Sequence, residues 1–359
     1  MILFVVDEDR ERYRGRAVRA SILAHACLMQ GLEVSFMCAE QDVHDCLTRE
    51  GSSGVRVVDR EQLIFEAALE RPTLLVWDAA RPLTHKEVTL FHQHDTFVVE
   101  FDAPDGESRA DEVVNGFEST LRSARGRQYK LIGPGYLVVD KCFTNAREWR
   151  RASAFLGNGL DLFICLDGVE PEIVTSTLDV LADIPACRSM QIRIMAGADE
   201  KRGRAVQRSF SSFKNLQLYT GTNPALIAQL MRFSQLGIIS FGPLLIQAMA
   251  AELPVLMINS TEGDERYAAR VLNGVFAGAG LTFGYAQHID WGMFQRKLAF
   301  LLERPREIER MQEATHRLVD GQGAQRIARF IQSHRKIRGM GHGDWVAAEG
   351  PRTIIPLTR

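Results

Sequence analysis

The sequence predicts an α/β protein with two Rossmann-like, doubly wound domains that face each other across an interdomain cleft. Short apolar runs alternate with amphipathic helical segments along most of the chain, which is typical of parallel sheets with crossover helices. The alternation is interrupted near residues 141–159 and then restarts. A chain of 359 residues is also longer than a typical single domain.

The first half contains five apolar runs of strand length. They are ILFVV (2–6), EVSFMCA (33–39), VRVV (55–58), TLLVWD (73–78) and TFVVEFD (96–102). The segments between them have the helical period, at 17–30, 40–50, 60–70 and 83–92. Two further edge strands are predicted within 103–135, in DEVVNG and YKLIGPGY.

The second half repeats the arrangement with five more predicted strands. They are LDLFICLDG (160–168), SMQIRIMAG (189–197), NLQLYTG (215–221), LGIISFG (236–242) and LPVLMIN (253–259). Helical patterns occupy 170–184, 198–213, 223–233, 243–252, 263–273, 291–304 and a long stretch from Pro305 to about Ile337. The predicted domains are therefore 1–145 and 146–333, followed by a basic, glycine-rich tail at 334–359 that is expected to be flexible or to dock a protein partner.

Composition narrows the function classes. The formal net charge of −2 gives no basic field of the kind that nucleic-acid binding needs. The six cysteines form no C-x-x-C pair and have no histidine at metal spacing, so we expect no metal and no cofactor. No apolar run reaches the length of a membrane helix, and the chain opens on a core strand. We therefore expect a cytoplasmic protein.

Acidic side chains follow several predicted strands. Ligands of open α/β sheets bind beyond the carboxyl ends of the strands, so the interdomain cleft is the expected site. Asp7, Glu8, Asp78 and Asp102 lie at such ends, where a carboxylate can act as a general base. Of these, Asp78 and Asp102 are our catalytic candidates; the alternative is that these acids are helix caps or solvated groups.

Several segments together resemble a known family. YRGRAVRASILAHACLMQGLEVSFMCA has the layout of the Gly-x-Gly-His-x-x-Arg loop and helix of the UDP-sugar hydrolases of pseudaminic acid biosynthesis, which are relatives of the spore-coat polysaccharide proteins. The segments that follow it in the same order as in the family are FDAPDGESRADEVVNG, GPGYLVVDKCF, LDLFICLDGVEP, IISFGPLLIQAMAAELPVLMI and LVDGQGAQRIARFI. The resemblance covers roughly residues 1–333 and implies a glycosyltransferase-B-like fold, with the sugar or acceptor on the first domain and the nucleotide on the second.

The resemblance also implies site residues on the sugar side. Gly15, Arg19 and Asn115 match family positions, whereas the family histidine falls on Arg16. Arginine stays protonated and cannot replace that histidine as a base. Arg14, Arg16 and Arg19 either bind a polyanion, such as a phosphate or a sugar acid, or pair with nearby acids at Asp7, Glu8, Asp9 and Glu11 on a solvated surface.

On the nucleotide side, the resemblance implies binding by Gly168, Val169, Thr220, Ser240, Gly242 and Gln247. Asp167 and Glu170 flank the first turn, where their charges either oppose a diphosphate or favour the start of the next helix. Pro243 is well placed as the first residue of a helix. Gln247 stands where related transferases have a glutamate that binds the ribose hydroxyls, and its amide oxygen can still accept one hydrogen bond.

Two functional hypotheses follow. In the first, the protein acts on a nucleotide sugar, with a UDP-sugar as its partner, in surface-polysaccharide or nonulosonic-acid biosynthesis, by hydrolysis or transfer. In the second, it is a catalytically inactive relative that serves as a binding or assembly subunit. Polar groups converging on an open cleft favour the enzyme, and a cleft closed by Arg–acid pairs favours the inactive relative.

Overall fold

We analysed a computed structural model of the chain. It describes residues 1–7, 15–103, 106–119, 129–153, 161–196, 215–221, 223–316 and 318–339, together with the isolated positions Gly203, Val206 and Phe213. The described residues form two parallel sheets of seven and six strands with helices between the strands. This confirms the predicted pair of Rossmann-like domains.

The first sheet has the strand order β3-β2-β1-β4-β5-β6-β7. Its strands are β1 (Ile2–Asp7), β2 (Val34–Cys38), β3 (Val55–Val57), β4 (Leu74–Ala79), β5 (Phe97–Phe101), β6 (Glu112–Asn115) and β7 (Leu131–Ile132). The five apolar runs and both additional strands are confirmed. Of the two additional strands, only β7 lies at an edge of the sheet, because β6 pairs with a strand on each side. The order reverses between β1 and β4, where Val6 lies opposite Asp78.

Four helices connect the strands of the first sheet. They are α1 (Gly15–Met29), α2 (Gln41–Arg49), α3 (Leu63–Leu69) and α4 (His85–His92). In α1, Ala17, Ala20, Leu23 and Ala24 recur at helical spacing and are buried in the core of the first domain. In α4, Thr84 and Glu87 form a capping box that fixes the start of the helix.

The second sheet has the order β10-β9-β8-β11-β12-β13 and reverses between β8 and β11. Its strands are β8 (Leu162–Cys165), β9 (Ile192–Met195), β10 (Leu216–Tyr219), β11 (Leu236–Ile239), β12 (Val255–Asn259) and β13 (Gly280–Tyr285). The sequence analysis did not predict β13. Its glycines interrupt the apolar run, and they are typical of loops.

Eight further helices complete the described part of the chain. They are α5 (Lys141–Ser153), α6 (Pro171–Asp183), α7 (Pro224–Arg232), α8 (Pro243–Ala250), α9 (Glu262–Asn273), α10 (Trp291–Glu303), α11 (Pro305–Thr315) and α12 (Gly323–Gly339). The helix predicted at 198–213 lies outside the described residues apart from three positions. The single pattern predicted from Pro305 is wrong, because two helices separated by a turn at Gly321 (φ +77°) occupy it.

The last helix returns to the first sheet. Ala324, Ile327, Ala328 and Ile331 of α12 are buried in the same apolar cluster as α1 and β1. The first core is therefore built from both ends of the described chain. The division between residues 145 and 146 stays a prediction.

Aromatic contacts between the two domains show where the cleft lies. Phe117, which follows β6, packs against Phe241, Tyr267 and Phe276 with ring centroids 6.3, 5.8 and 6.1 Å away. Within the described ranges, no helix combines the length and the apolar character that a membrane span requires.

Candidate functional site

The two reversal points of strand order lie at the site. The start of α1 contacts Asp78 of β4 through Arg16 and Arg19, and the turns after β8 and β11 lie at the corresponding point of the second sheet. Gly15 joins these two halves, since a Cβ atom there would lie 2.6 Å from Cγ of Pro243. A glycine is therefore required where the start of α1 meets the start of α8.

Arg19 is the centre of the sugar side. Its Nε and Nη2 donate to the two oxygens of Asp78 at 2.9 and 2.6 Å, and its Nη1 donates to Oδ2 of Asp102 at 2.7 Å. The guanidinium also lies over the ring of Phe101, 4.6 Å from the centroid. Because α1 faces β4 and β5, one arginine binds the acids that end both strands.

Burial makes these contacts strong. The side chain of Asp78 is 2% exposed and that of Arg19 is 15% exposed. Burial by itself opposes the charge on Arg19, but the attraction of Asp102 and Asp78 raises its pKa above the ordinary value. Burial raises the pKa of Asp78, and the contacts with the arginines act in the opposite direction. Arg19 and Asp78 form a buried, charge-balanced unit.

The two catalytic candidates differ in how many of their carboxylate oxygens accept hydrogen bonds from Arg19. Both oxygens of Asp78 accept hydrogen bonds from Arg19. Asp102 gives only Oδ2 to Arg19, its side chain is 33% exposed, and its backbone has a φ of +55°. A left-handed backbone at a non-glycine residue is strained and occurs often at functional sites. Asp102 is therefore the better placed of the two to accept a proton.

Arg16 lies beside this unit without fully joining it. Its Nε is 3.5 Å from Oδ1 of Asp78, which is an ion-pair contact longer than a good hydrogen bond. Its Nη1 is buried and has no hydrogen-bond partner among the described residues. The side chain as a whole is 18% exposed.

The alternatives for the arginines are thus resolved in part. Arg19 pairs with acids, but with Asp78 and Asp102 in a buried place, and not with the adjacent acids on a solvated surface. Asp7 pairs instead with Arg60, 2.8 Å away. Arg14, Glu8, Asp9 and Glu11 lie outside the described residues.

Asn115 lies at the end of β6 and is 2% exposed. Its Oδ1 accepts a hydrogen bond from the backbone N–H of Phe117 at 3.0 Å. In this structure its side chain therefore fixes the turn that brings Phe117 to the second domain, and its predicted contact with substrate stays a prediction.

The first turn of the nucleotide side lies after β8. Gly168 has a φ of +71° and is exposed, with Ser260 Oγ within 3.5 Å of where a Cβ would be, whereas Val169 is 3% exposed and belongs to the core. Asp167 and Glu170 are exposed. Glu170 occupies the position before α6, but its side chain makes no capping hydrogen bond, so only the favourable charge at the helix start remains of that interpretation.

The second turn lies between β11 and α8. Ser240 is buried, and Gly242 has a φ of +142°, a conformation that favours glycine. Pro243 is the first residue of α8, as predicted. One turn later, Oε1 of Gln247 is buried and has no partner within the described part of the chain.

The third segment of the nucleotide side follows β10. Thr220 is exposed at the end of the strand. Asn223 caps α7 by accepting a hydrogen bond from the backbone N–H of Ala225 at 2.9 Å. The neighbouring Thr222 lies outside the described residues.

The residues that join the two domains near Asp102 were not predicted from the sequence. Arg270 of α9 donates to Glu118 across the cleft at 2.7 Å and lies over the ring of Tyr267. Burial and the charge of Asp102 raise the pKa of Tyr267 to about 12. Only the aromatic character of Phe117 and Tyr267 could have pointed to this contact, because nothing local links residues so far apart in sequence.

His92, at the end of α4, pairs with a carboxylate. Its Nε2 lies 3.0 Å from Asp111 at the surface. Within the ranges that the structure describes, no group of three His, Cys, Asp or Glu side chains is arranged to hold a metal ion.

Solved structures share this fold across nearly the whole chain. MurG of Acinetobacter baumannii superposes with a TM-score of 0.69 at 12% identity, over 92% of this chain and 99% of MurG. The Staphylococcus aureus MnaA–UDP co-structure gives 0.61 at 12% identity over 96% and 99%, and the UDP-GlcNAc 2-epimerase of Neisseria meningitidis bound to UDP-GlcNAc gives 0.59 at 12% over 93% and 100%. At this identity the likeness shows the two-domain glycosyltransferase-B fold. No family model matches the sequence, and a search of curated proteins finds no match.

Proposed function

We propose that this protein binds a nucleotide sugar, with a UDP-sugar as the first choice, in the cleft between Gly15–Arg19 and α8. In this proposal it acts on the sugar–phosphate bond, by hydrolysis or by transfer, in surface-polysaccharide or nonulosonic-acid biosynthesis. Two solved structures with the same fold contain UDP, in MnaA of Staphylococcus aureus, and UDP-GlcNAc, in the 2-epimerase of Neisseria meningitidis. That similarity supports the class of ligand for this chain.

The single observation that carries the proposal is the unpartnered Oε1 of Gln247. A buried acceptor without a donor costs about 1–3 kcal/mol, and a bound ligand that supplies the donor would offset that cost. A ribose hydroxyl is a suitable donor. Gln247 lies one turn into α8, behind Gly242, where a nucleotide with its phosphates at the helix start would place its ribose.

The sugar would then face Asp102 and Arg19. A water or acceptor hydroxyl attacking the anomeric carbon must lose a proton as the bond to the diphosphate breaks. We assign the acceptance of that proton to Oδ1 of Asp102, which has no hydrogen-bond partner within the described residues. Arg19 positions this carboxylate by holding its other oxygen.

A second candidate function is the catalytically inactive relative. It is favoured by the fact that one arginine already engages both strand-end carboxylates, which leaves less of their hydrogen-bonding capacity for a substrate. A protein of this kind would still bind a nucleotide through the second domain.

Calorimetric titration with UDP, followed by UDP- and CMP-sugars, tests both candidates. Gln247→Ala should weaken UDP binding by about 1 kcal/mol, roughly fivefold, and Gln247→Glu should strengthen it because a charged acceptor binds a hydroxyl more tightly. Gln191→Ala is the control, since Gln191 directly precedes β9, at the amino end of the strands, and its side chain donates to a backbone carbonyl.

The outcomes separate the two functions. Micromolar binding with release of free sugar or a glycosylated product supports the enzyme. Binding without turnover of any of these sugars supports the inactive relative. No binding of UDP at millimolar concentration contradicts both, and equal binding by Gln247→Ala removes the ribose assignment.

A further inference from the structure

We infer that Arg16 binds an anionic group of the ligand through its Nη1, either a phosphate of the diphosphate or the carboxylate of an acidic sugar. The inference rests on the proposed function and names the charge that the ligand must present on the side of the first domain. Arg16 stands where the resembling family has its histidine, so this role differs from the one that the family's pattern implies.

The hydrogen bonds of the cluster distinguish its two arginines within the described residues. Asp78 and Asp102 supply two negative charges, and Arg19 already contacts both carboxylates at 2.6–2.9 Å. Arg16 adds a second positive charge, and its only ion-pair contact within the described residues is the 3.5 Å approach to Asp78. Among the described residues, Arg19 therefore uses all three of its hydrogen-bonding nitrogens on these acids, whereas Nη1 of Arg16 donates to none of them.

The burial of Nη1 makes the lack of a hydrogen-bond partner within the described residues energetically costly. An exposed guanidinium is hydrated, but Nη1 of Arg16 is out of contact with solvent and has no partner in the described part of the chain. A buried charged donor without an acceptor is more costly than a neutral one. An anion bound at this atom would supply both the acceptor and the opposite charge.

The position of Arg16 between two helix starts strengthens the inference. Arg16 is the second residue of α1, and the preceding Gly15 is in contact with Pro243 at the start of α8. Each helix start carries a partial positive charge, and a cation there is unfavourable. Two helix starts and a guanidinium thus meet at one point, which an anion bound between them would stabilise.

The test is calorimetry with a series of probes that differ in charge: uridine, UDP, a UDP-sugar with a neutral sugar, and a UDP-sugar with a uronic acid. Arg16→Gln should weaken one of the charged probes by about ten- to a hundredfold, the usual effect of losing a hydrogen bond to a charged group. It should leave uridine unchanged. Arg60→Gln is the control, since Arg60 is an exposed arginine near the same sheet edge that pairs with Asp7 and Glu40.

The arms distinguish the source of the anion. If UDP and both UDP-sugars weaken alike, Arg16 binds a phosphate. If only the uronic-acid probe weakens, Arg16 binds the sugar carboxylate. Equal binding of every probe by the wild type and Arg16→Gln overturns the inference while leaving the nucleotide site intact. Failure of the wild type to bind UDP contradicts the proposed function itself.

Stability without ligand gives a second readout that does not depend on binding. Removing an arginine that stabilises the fold lowers the melting temperature, whereas removing a buried cation without a partner does not. We therefore expect the ligand-free melting temperature of Arg16→Gln to equal or exceed that of the wild type. Arg16→Lys, which keeps the charge, should retain part of the affinity, and a large loss of stability in Arg16→Gln would show a structural role instead.

Discussion

Replacing Arg19 by methionine should destabilise the protein strongly. The substitution removes three charge-assisted hydrogen bonds of 2.6–2.9 Å and leaves Asp78, which is 2% exposed, without its main partner. Methionine keeps much of the side-chain length, so that the loss of charge dominates over the loss of volume. Breaking a buried ion pair by removing one partner costs about 3–5 kcal/mol, because the remaining charge is buried and uncompensated.

The melting temperature translates this cost into a measurable shift. For domains of this size, each kcal/mol lowers the melting temperature by about 2–4 °C, so Arg19→Met should melt about 10 °C below the wild type. The measurement is thermal and urea unfolding followed by circular dichroism. Arg81→Met is the matched control, since Arg81 also donates two hydrogen bonds to one carboxylate, Glu87, but is 54% exposed. It should lose no more than about 1 kcal/mol.

Acid should rescue the Arg19 variant. Without Arg19, the burial that already raises the pKa of Asp78 acts unopposed except by Arg16, so Asp78 takes up a proton in the folded state. A raised folded-state pKa gives stability at low pH that is lost as the pH rises, and the deficit of the variant should therefore shrink on acidification. Asp78→Asn combined with Arg19→Met should restore part of the loss at neutral pH. If Arg19→Met is no less stable than Arg81→Met, the buried cluster does not hold the sheet edge together and the reasoning is wrong.

Two other predictions concern single carboxylates. If the proposed function holds, Asp102→Asn should abolish turnover of the sugar substrate while leaving UDP affinity within about threefold, since an amide cannot take up the proton and the proposed nucleotide site lies on the second domain; retained turnover would show that another group is the base. The hydrogen bonds from Arg81 lower the pKa of Glu87 to about 2. A carboxylate whose pKa is lower in the folded than in the unfolded state stabilises the fold at pH values above its unfolded-state pKa, and this stabilisation is lost as the pH falls through the folded-state pKa. The difference in free energy of unfolding between wild type and Glu87→Gln should therefore be full near pH 6 and shrink between about pH 4.3 and 2. A difference that is the same at pH 3 and pH 6 would contradict this assignment.

The sequence predicted most strands because their apolar runs are long and sharply bounded, as in β1 and β4. It failed at β13, where glycines disguise the strand. Gly280 there is needed, since a Cβ atom would lie 2.8 Å from the carbonyl oxygen of Val255. Close approach of backbones is a tertiary fact that the local pattern shows only as a loop-like composition.

The candidate site was predicted in kind and not in detail. Strand-end position alone marked Asp78 and Asp102 as neighbours at one sheet edge. That Arg19 would bind both, across 59 and 83 residues, depends on how α1 lies over β4 and β5. The sequence favoured no long-range partner over the acids next to the arginines in the chain. The contact of Phe117 with Tyr267 depends in the same way on how two domains meet.

The return of α12 to the first sheet sets the order in which the chain can fold during synthesis. Ile327 and Ile331 complete a core that begins with Ile2, so the second domain is in effect an insertion into the first. As the chain leaves the ribosome, the second domain has all of its strands while the first still lacks its last helix. The domain translated first is thus the one completed last. A stop codon near residue 320 would remove part of the core of the amino-terminal sheet and leave the strands of the carboxyl-terminal sheet intact.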